Sequence, residues 1–286
     1  MKAMVLAAGM GTRLRPLTDH RPKALLEIGG RTLLEITLSR LRAFGVREVI
    51  INVHHFAGMI LDFLNANSNF GLRIEVSREE VLLDTGGGLK KAGWFFLEDA
   101  ERMDEPFLLH NVDVISTIDF RRMVQWHKEN GALATLAVQG RETSRYLLFN
   151  DQLGLCGRRV SPDHEPELIR SNLPRAPREG TPSPSAETSA HCHSELSEES
   201  ASREPEAGRS QPSQALAFTG IHVISPRLLT LMNEDGAFSI IDVYLRLAAQ
   251  GENILGFRAD GSYWRDLGKL DQFQQAAEDY QRKLFS

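Results

Sequence analysis

The sequence predicts an α/β fold in three layers, a mostly parallel sheet with helices on both faces. Two observations carry this. Short apolar, β-branched runs alternate with amphipathic stretches of helical length from the start of the chain, the rhythm of strands joined by crossover helices. Several helical stretches also carry their own start and stop residues. At 286 residues and 42% hydrophobic, the chain is long enough for one large α/β domain with a sizeable core.

The elements follow in order. Lys2–Leu6 reads as a buried first strand. Thr32 and Glu35 form a capping box that opens a helix to about Phe44, and Gly45 closes it. Glu48–Val53 is β-branched and predicts the second strand, followed by a helix near Phe56–Ala66 and a strand at Leu72–Val76. A helix is expected from about Gly88 to Leu97, then a short strand Phe107–His110 running into Asn111-Val112-Asp113. Asp119–Asn130 predicts a helix ended by Gly131, and Ala132–Val138 a further strand. Beyond residue 214 come a strand at Leu216–Ile224, a helix from Pro226 to Met232, an amphipathic helix at Ser239–Ala249, a strand at Ile254–Arg258 and a terminal helix at Leu270–Leu284.

Residues 161–214 interrupt this pattern. Pro, Ser and Glu dominate and aliphatic residues are scarce, so the stretch is expected to be a disordered insertion within a single domain spanning 1–286. His191-Cys192-His193 within it is an incomplete ligand set for a metal.

A net charge of −5 argues against nucleic acid or an anionic membrane as the partner. Cys156 and Cys192 stand far apart, without metal-ligand spacing or a disulfide framework. The first apolar stretch ends at Gly9, short for a signal peptide, and no run reaches transmembrane length. A cytoplasmic location is expected. The oligomeric state is left open.

The chemistry concentrates after the first strand. Leu6-Ala7-Ala8-Gly9-Met10-Gly11-Thr12-Arg13 is followed by Arg15 and then by Arg21-Pro22-Lys23. Glycines let backbone N–H groups approach a ligand closely, and Arg13 and Lys23 add positive charge. Together they make an anion site suited to phosphate. It is not a P-loop, since no Lys-Ser or Lys-Thr follows the glycines. Nor is it a complete dinucleotide fingerprint: Leu14 stands where the third glycine belongs. In an open parallel sheet, ligands sit beyond the carboxyl ends of the strands. The Gly9 loop and Asp113 both fall there and can face one cleft. His54-His55 follows a strand with no carboxylate cluster and reads as structural.

The run resembles the opening motif of the sugar-1-phosphate nucleotidylyltransferases. The resemblance continues through Asp84-Thr85-Gly86-Gly87-Gly88, Asn111-Val112-Asp113, Phe218-Thr219-Gly220-Ile221 and Tyr263-Trp264-Arg265-Asp266-Leu267-Gly268. It implies a Rossmann-like nucleotide-diphospho-sugar transferase fold and transfer of a nucleotidyl group from an NTP to a sugar 1-phosphate. It also implies roles for residues. Leu6, Ala7, Ala8, Gly9, Gly11, Thr12, Arg13 and Lys23 would hold the nucleotide, with Gly87 and Gly88 at the base. Asn111, Thr219 and Gly220 would contact the sugar. Asp113 and Asp266 would hold Mg²⁺, and Lys23, Arg13 and Asp113 would be catalytic.

The chain departs from the family in two places. No Glu-Lys-Pro motif is found in the region of the insertion, which leaves Arg158 and Arg159 as candidates for the sugar phosphate. Val112 stands where many relatives have glycine or serine. No hexapeptide repeat follows, so the β-helix domain of some relatives is absent from this sequence. The compact chain looks most like the branch using UTP and N-acetylmuramate 1-phosphate. A mannose-1-phosphate guanylyltransferase is the near alternative, and a non-catalytic nucleotide-sugar-binding regulator an alternative of another class. A nicotinamide-dependent dehydrogenase is disfavoured by the missing third glycine.

Overall fold

The structure, a computed structural model, describes residues 1–98, 104–160, 165–169 and 212–285. Strand β1 (Lys2–Leu6) is followed by a small hairpin, β2 (Glu27–Ile28) and β3 (Arg31–Thr32), and by α1 (Leu33–Phe44). As the capping box predicts, the Thr32 side chain accepts from the Glu35 N–H at 3.0 Å. Gly45 closes the helix in the left-handed region, φ 112°. Next come β4 (Glu48–Val53), α2 (Ala57–Ala66), β5 (Arg73–Arg78), α3 (Asp84–Ala92), α4 (Trp94–Leu97), β6 (Phe107–Asn111), β7 (Val114–Ser116) and α5 (Phe120–Glu129). The chain continues through β8 (Ala134–Gln139), β9 (Tyr146–Phe149), β10 (Leu155–Arg159), β11 (Glu167–Leu168) and β12 (Gln214–Ile224). It ends with α6 (Arg227–Thr230), α7 (Ile240–Ala249), β13 (Ile254–Arg258), β14 (Trp264–Asp266) and α8 (Leu270–Gln281).

Ten strands form one sheet, in the order β11-β10-β9-β12-β6-β1-β4-β5, with β8 on β12 and β13 on β8. The β6-β1-β4-β5 pairings and the β8–β13 pairing are parallel, whereas β12 is antiparallel to β6, β8 and β9. Alternation along the strands sorts the core into two halves. Met4 and Ile50 pack on one face with Leu89, Phe95 and Val243 from the helices after β5 and β12. Ala3, Val5, Val49 and Ile51 pack on the other with Leu34, Leu38, Ile60 and Met123 from α1, α2 and α5. This is the expected three-layer α/β fold.

Three details differ from expectation. The helix predicted from Gly88 starts four residues earlier, at Asp84, and α4 begins after Gly93. Its glycines are in the helix because tertiary packing outweighs their poor helix propensity, a cost of about 1 kcal/mol each. The last helix ends at Gln281. The described ends of the 161–214 segment belong to the sheet: Glu167 and Leu168 pair with β10, and Gln214 opens β12 opposite Phe149. Residues 161–164 and 170–211, with the His191-Cys192-His193 run and Cys192, lie outside the described residues. Among the described residues no helix is long and apolar enough to cross a membrane.

Candidate functional site

Parallel register sets up the site. Leu6, the last residue of β1, is aligned with Asn52 of β4 on one side and with Asn111 of β6 on the other. The three strands therefore end together, and the loops that leave them converge.

The loop after β1 is held at both ends. The Ala7 N–H donates to Asn52 Oδ1 at 2.8 Å. Gly11 adopts φ 64°, which glycine tolerates without strain, and its carbonyl accepts from the Thr18 hydroxyl at 2.9 Å. Nothing lies within 4 Å of a Cβ built on Gly9, so the loop leaves open space there. Thr12 and Arg13 are exposed. Pro22 is extended and hands the chain to a short 3₁₀ turn, Lys23–Leu25. That turn buries Lys23, which is only 8% exposed. A lysine so buried needs a partner, and Lys23 Nζ is paired with the Asp113 carboxylate.

Asp113 follows β6, and the strand after it, β7, pairs antiparallel with β14 so that Val114 faces Asp266. The Leu267 N–H donates to the Asp113 carbonyl at 2.9 Å, locking the two segments together. The two sequence-distant aspartates thus become neighbours. Burial, and then the Asp113 charge, push the Asp266 carboxyl above its usual range, while Lys23 and Arg13 oppose the shift. A Cβ placed on Gly268 would lie 2.8 Å from both Arg13 Nη2 and Asp266 Oδ1. The bare glycine leaves room for both side chains beside it. Lys23, Arg13, Asp113 and Asp266 form one cluster.

Two cavities meet at this cluster. The first, about 410 Å³, is lined by Leu6, Ala7, Ala8 and Gly9, by Lys23 and Asp113, and by Asn52, Leu82, Asp84 and Thr85 across from them. The second, about 590 Å³, is lined by Thr219, Gly220, Trp264 and Asp266 together with Arg141, Arg145, Arg158 and Arg159. Asn111 lines both. One aspartate borders each cavity, so the pair straddles their junction.

The sequence-derived sugar residues converge on the second cavity. Strand β12 shifts register between Phe218 and His222, and Gly220, at φ 80°, lies so close to Asn111 that an added Cβ would sit 2.7 Å from its Nδ2. The Thr219 hydroxyl is spent on the Ala137 carbonyl at 2.9 Å, while its own carbonyl accepts from Trp264 Nε1 at 2.8 Å. Thr219 therefore shapes the wall rather than presenting a free hydroxyl.

Gly87 and Gly88, expected at the base, line neither cavity. An added Cβ on Gly87 would fall 2.5 Å from the Gly236 carbonyl oxygen, and one on Gly88 2.7 Å from Glu79 Oε1. These glycines let α3 press against the segment before α7. The Phe238 carbonyl accepts from Gly86 N–H (2.9 Å) and Gly87 N–H (3.3 Å), satisfying the first free donors of α3. The cavity wall is made instead by Asp84 and Thr85. Asp84 Oδ1 accepts from the Thr85 N–H at 2.6 Å, and Thr85 Oγ1 accepts from Ile240 N–H at 3.0 Å. Val112 is buried in the core beside Val5 and Val114. His54 Nδ1 donates to the Glu79 carbonyl at 2.8 Å, a structural contact.

Sequence reading missed Asn52, Glu79 and Arg141. Asn52 interrupts an otherwise β-branched strand, Val-Ile-Ile-Asn-Val, and a polar residue buried there needs a hydrogen-bonding duty. That signal was available. Arg141 carried none: its guanidinium lies 3.6 Å from the centre of the Trp264 ring, a partner far along the chain.

Comparison with known proteins agrees with this geometry. A model of the family described as nucleotidyl transferase matches residues 2–147. The chain is 33% identical over 283 residues, 96% of its own length and 95% of the relative's, to an N-acetylmuramate alpha-1-phosphate uridylyltransferase of Caulobacter vibrioides. It is 35% identical to a mannose-1-phosphate guanyltransferase of Yarrowia lipolytica, over 51% of this chain and 40% of that one. Among solved structures, a UDP-glucose pyrophosphorylase complexed with UDP-glucose superposes with a TM-score of 0.69. That match covers 99% of this chain and 98% of the other at 15% identity, a likeness of fold. By the matched family model, and by a relative aligned along nearly its whole length, the chain belongs to the nucleotidyl transferase family.

Proposed function

We propose that the protein is a sugar-1-phosphate nucleotidylyltransferase that joins a uridylyl group from UTP to N-acetylmuramate 1-phosphate or a closely related sugar phosphate, releasing pyrophosphate. The observation that carries this reading is the pair of cavities meeting at Asn111, with Asp113 bordering one and Asp266 the other. In this reading the nucleotide occupies the first cavity and the sugar phosphate the second. A sugar phosphate oxygen attacks the α-phosphorus of the NTP, a new P–O bond forms, and the bond to pyrophosphate breaks in line. Both reactants are anions, so catalysis is positioning plus charge neutralisation. Lys23, held at the junction by Asp113, offers an ammonium to the α-phosphate, and Arg13 meets the departing phosphates at the open Gly9–Gly11 loop.

The donor set fits magnesium. Mg²⁺ takes one or two carboxylates and completes its octahedron with phosphate oxygens and water. Asp113 and Asp266 are two such carboxylates, and among the described residues no cluster of three or more metal-ligating side chains is present. Bound there, the ion would add positive charge to the reacting phosphates.

UTP is favoured by the relative aligned over nearly the whole chain. The mannose and GTP reading draws on a relative matched over about half of it, and on Asp84, whose second carboxylate oxygen could accept from a guanine amino group. Incubating the protein and Mg²⁺ with UTP or GTP, and with N-acetylmuramate 1-phosphate or mannose 1-phosphate, separates them by pyrophosphate release. We expect UTP to exceed GTP by at least about tenfold in kcat/KM, the worth of one mismatched buried hydrogen bond. A GTP preference would move the assignment to the mannose branch, and no turnover with any pair would leave a non-catalytic regulator.

A further inference from the structure

The second cavity carries more positive charge than one phosphate requires. Of its four arginines, Arg158 is neutralised: Nε donates to Glu167 Oε2 at 2.7 Å, and Nη1 is paired with Asp242. Among the described residues, Arg141, Arg145 and Arg159 have no carboxylate within salt-bridge distance. Arg145 is exposed. Arg141 and Arg159 are different, because each has its Nε buried with no hydrogen-bond partner. A buried charged donor without an acceptor is unfavourable, so both guanidiniums are poised for an anion that enters with the substrate.

They reach the cavity from different segments of the sheet. Arg141 stacks on Trp264, two residues from Asp266, and its Nη2 donates to the Phe218 carbonyl at 3.0 Å. It belongs to the end where the phosphate reacts. Arg159 lies on β10, in register with Tyr146 of β9, which is in turn in register with Ala217 of β12. Two strand spacings, roughly 10 Å of sheet, therefore separate the backbone of Arg159 from that of β12. Its guanidinium lies over the Tyr146 ring, 5.1 Å from the centroid, a stack that orients the planar fork. With a phosphate beside Asp266 and Arg141, Arg159 is left to meet another anionic group of the sugar.

We propose that Arg159 is a specificity-determining residue that pairs with a carboxylate carried on the sugar, while Arg141 takes the 1-phosphate. The inference rests on the second cavity being the sugar 1-phosphate site. A guanidinium binds a carboxylate through two parallel N–H···O bonds, which explains an arginine held flat at this position.

The test compares N-acetylmuramate 1-phosphate with N-acetylglucosamine 1-phosphate, which differ by the carboxylate-bearing ether, in the wild type, Arg159→Gln, Arg159→Lys and Arg141→Gln. The wild type should prefer the carboxylate sugar. Arg159→Gln should lower kcat/KM for that sugar at least about tenfold, mostly through KM, the effect of one lost charge-assisted bond. The loss for the neutral sugar should be several-fold smaller. Arg159→Lys should restore only part, since an ammonium cannot form the paired bonds, and also shows that the position tolerates change. Arg141→Gln should lower both sugars. Equal losses for both sugars in Arg159→Gln, or an unchanged preference, overturn the proposal while leaving the nucleotidyl transfer reading intact. A wild type without turnover on any sugar 1-phosphate overturns both.

Discussion

Asn52 and Glu79 clasp one another where β4 and β5 end, Nδ2 of the amide donating to Oε1 of the carboxylate at 2.7 Å. Each also holds a neighbouring loop. Asn52 Oδ1 accepts from the Ala7 N–H, and Glu79 Oε2 accepts from the Leu83 N–H at 3.0 Å. One buried pair thus ties the phosphate loop to the start of α3. The two walls of the first cavity are fixed relative to each other by it.

Replacing Asn52 with Leu keeps the volume but strips both bonds. It leaves the Ala7 N–H and one Glu79 oxygen buried without partners, at about 1–3 kcal/mol for each group. In a chain of this size that lowers Tm by several degrees, at roughly 2–4 °C per kcal/mol. Calorimetry should show the drop, and the KM for the nucleotide should rise with it. An unchanged Tm would mean that the clasp contributes nothing.

Gly87→Ala sets two effects against each other. Alanine gains about 1 kcal/mol of helix propensity over glycine. Its Cβ would also lie 2.5 Å from the Gly236 carbonyl oxygen and 3.0 Å from Leu83 Cβ. The first obstacle is backbone, and relieving it requires the α3 and α7 segments to part, costing about 1–3 kcal/mol. Overpacking should win, so the urea midpoint should fall. A rise would show that the interface yields easily.

Much of this architecture was legible in the chain because it is written locally. Strand alternation, the Thr32–Glu35 capping box and the Gly45 stop are patterns over a few residues, and β1, α1 and β4 lie where those patterns put them. The Gly86–Gly88 run misled for a physical reason. Glycine's local preference is against helix, and only the Phe238 carbonyl and the closely packed Gly236, remote in sequence, make the helical turn favourable. Lys23 and Asp113 stood out as candidates because their motifs are contiguous. Arg141, Glu79 and the clasp were not, since their roles exist only once distant strands pair.

Asp113→Asn tests the cluster itself. The amide keeps shape and volume, yet removes the charge that faces buried Lys23 and that would hold magnesium. Turnover should fall by at least about a hundredfold, as expected when an interaction serving the transition state is lost, and raising Mg²⁺ should not restore it. Circular dichroism should remain that of the native fold. Near-normal pyrophosphate release would exclude Asp113 from the chemistry.

The final prediction concerns pH and stability. Burial pushes His110 and His222 down to about 3 and His127 down to about 4. Each ring is occupied: His222 Nδ1 meets the Tyr244 hydroxyl at 2.8 Å, and His127 contacts the Thr135 and Ser225 hydroxyls, both at 3.0 Å. In the unfolded chain these rings take up protons near pH 6.5. The sign follows. Between about pH 6.5 and the depressed folded values the unfolded state binds more protons, so stability is greatest above 6.5 and falls with acidification, by up to about 1.4 kcal/mol per pH unit for each histidine. Urea unfolding between pH 7.5 and 5 should show this decline. His222→Gln, which keeps a hydrogen-bonding group toward Tyr244, should remove one share of the slope. A stability independent of pH across that interval would mean that the rings take up protons in the fold as readily as in the unfolded chain, contradicting their burial among the apolar strands.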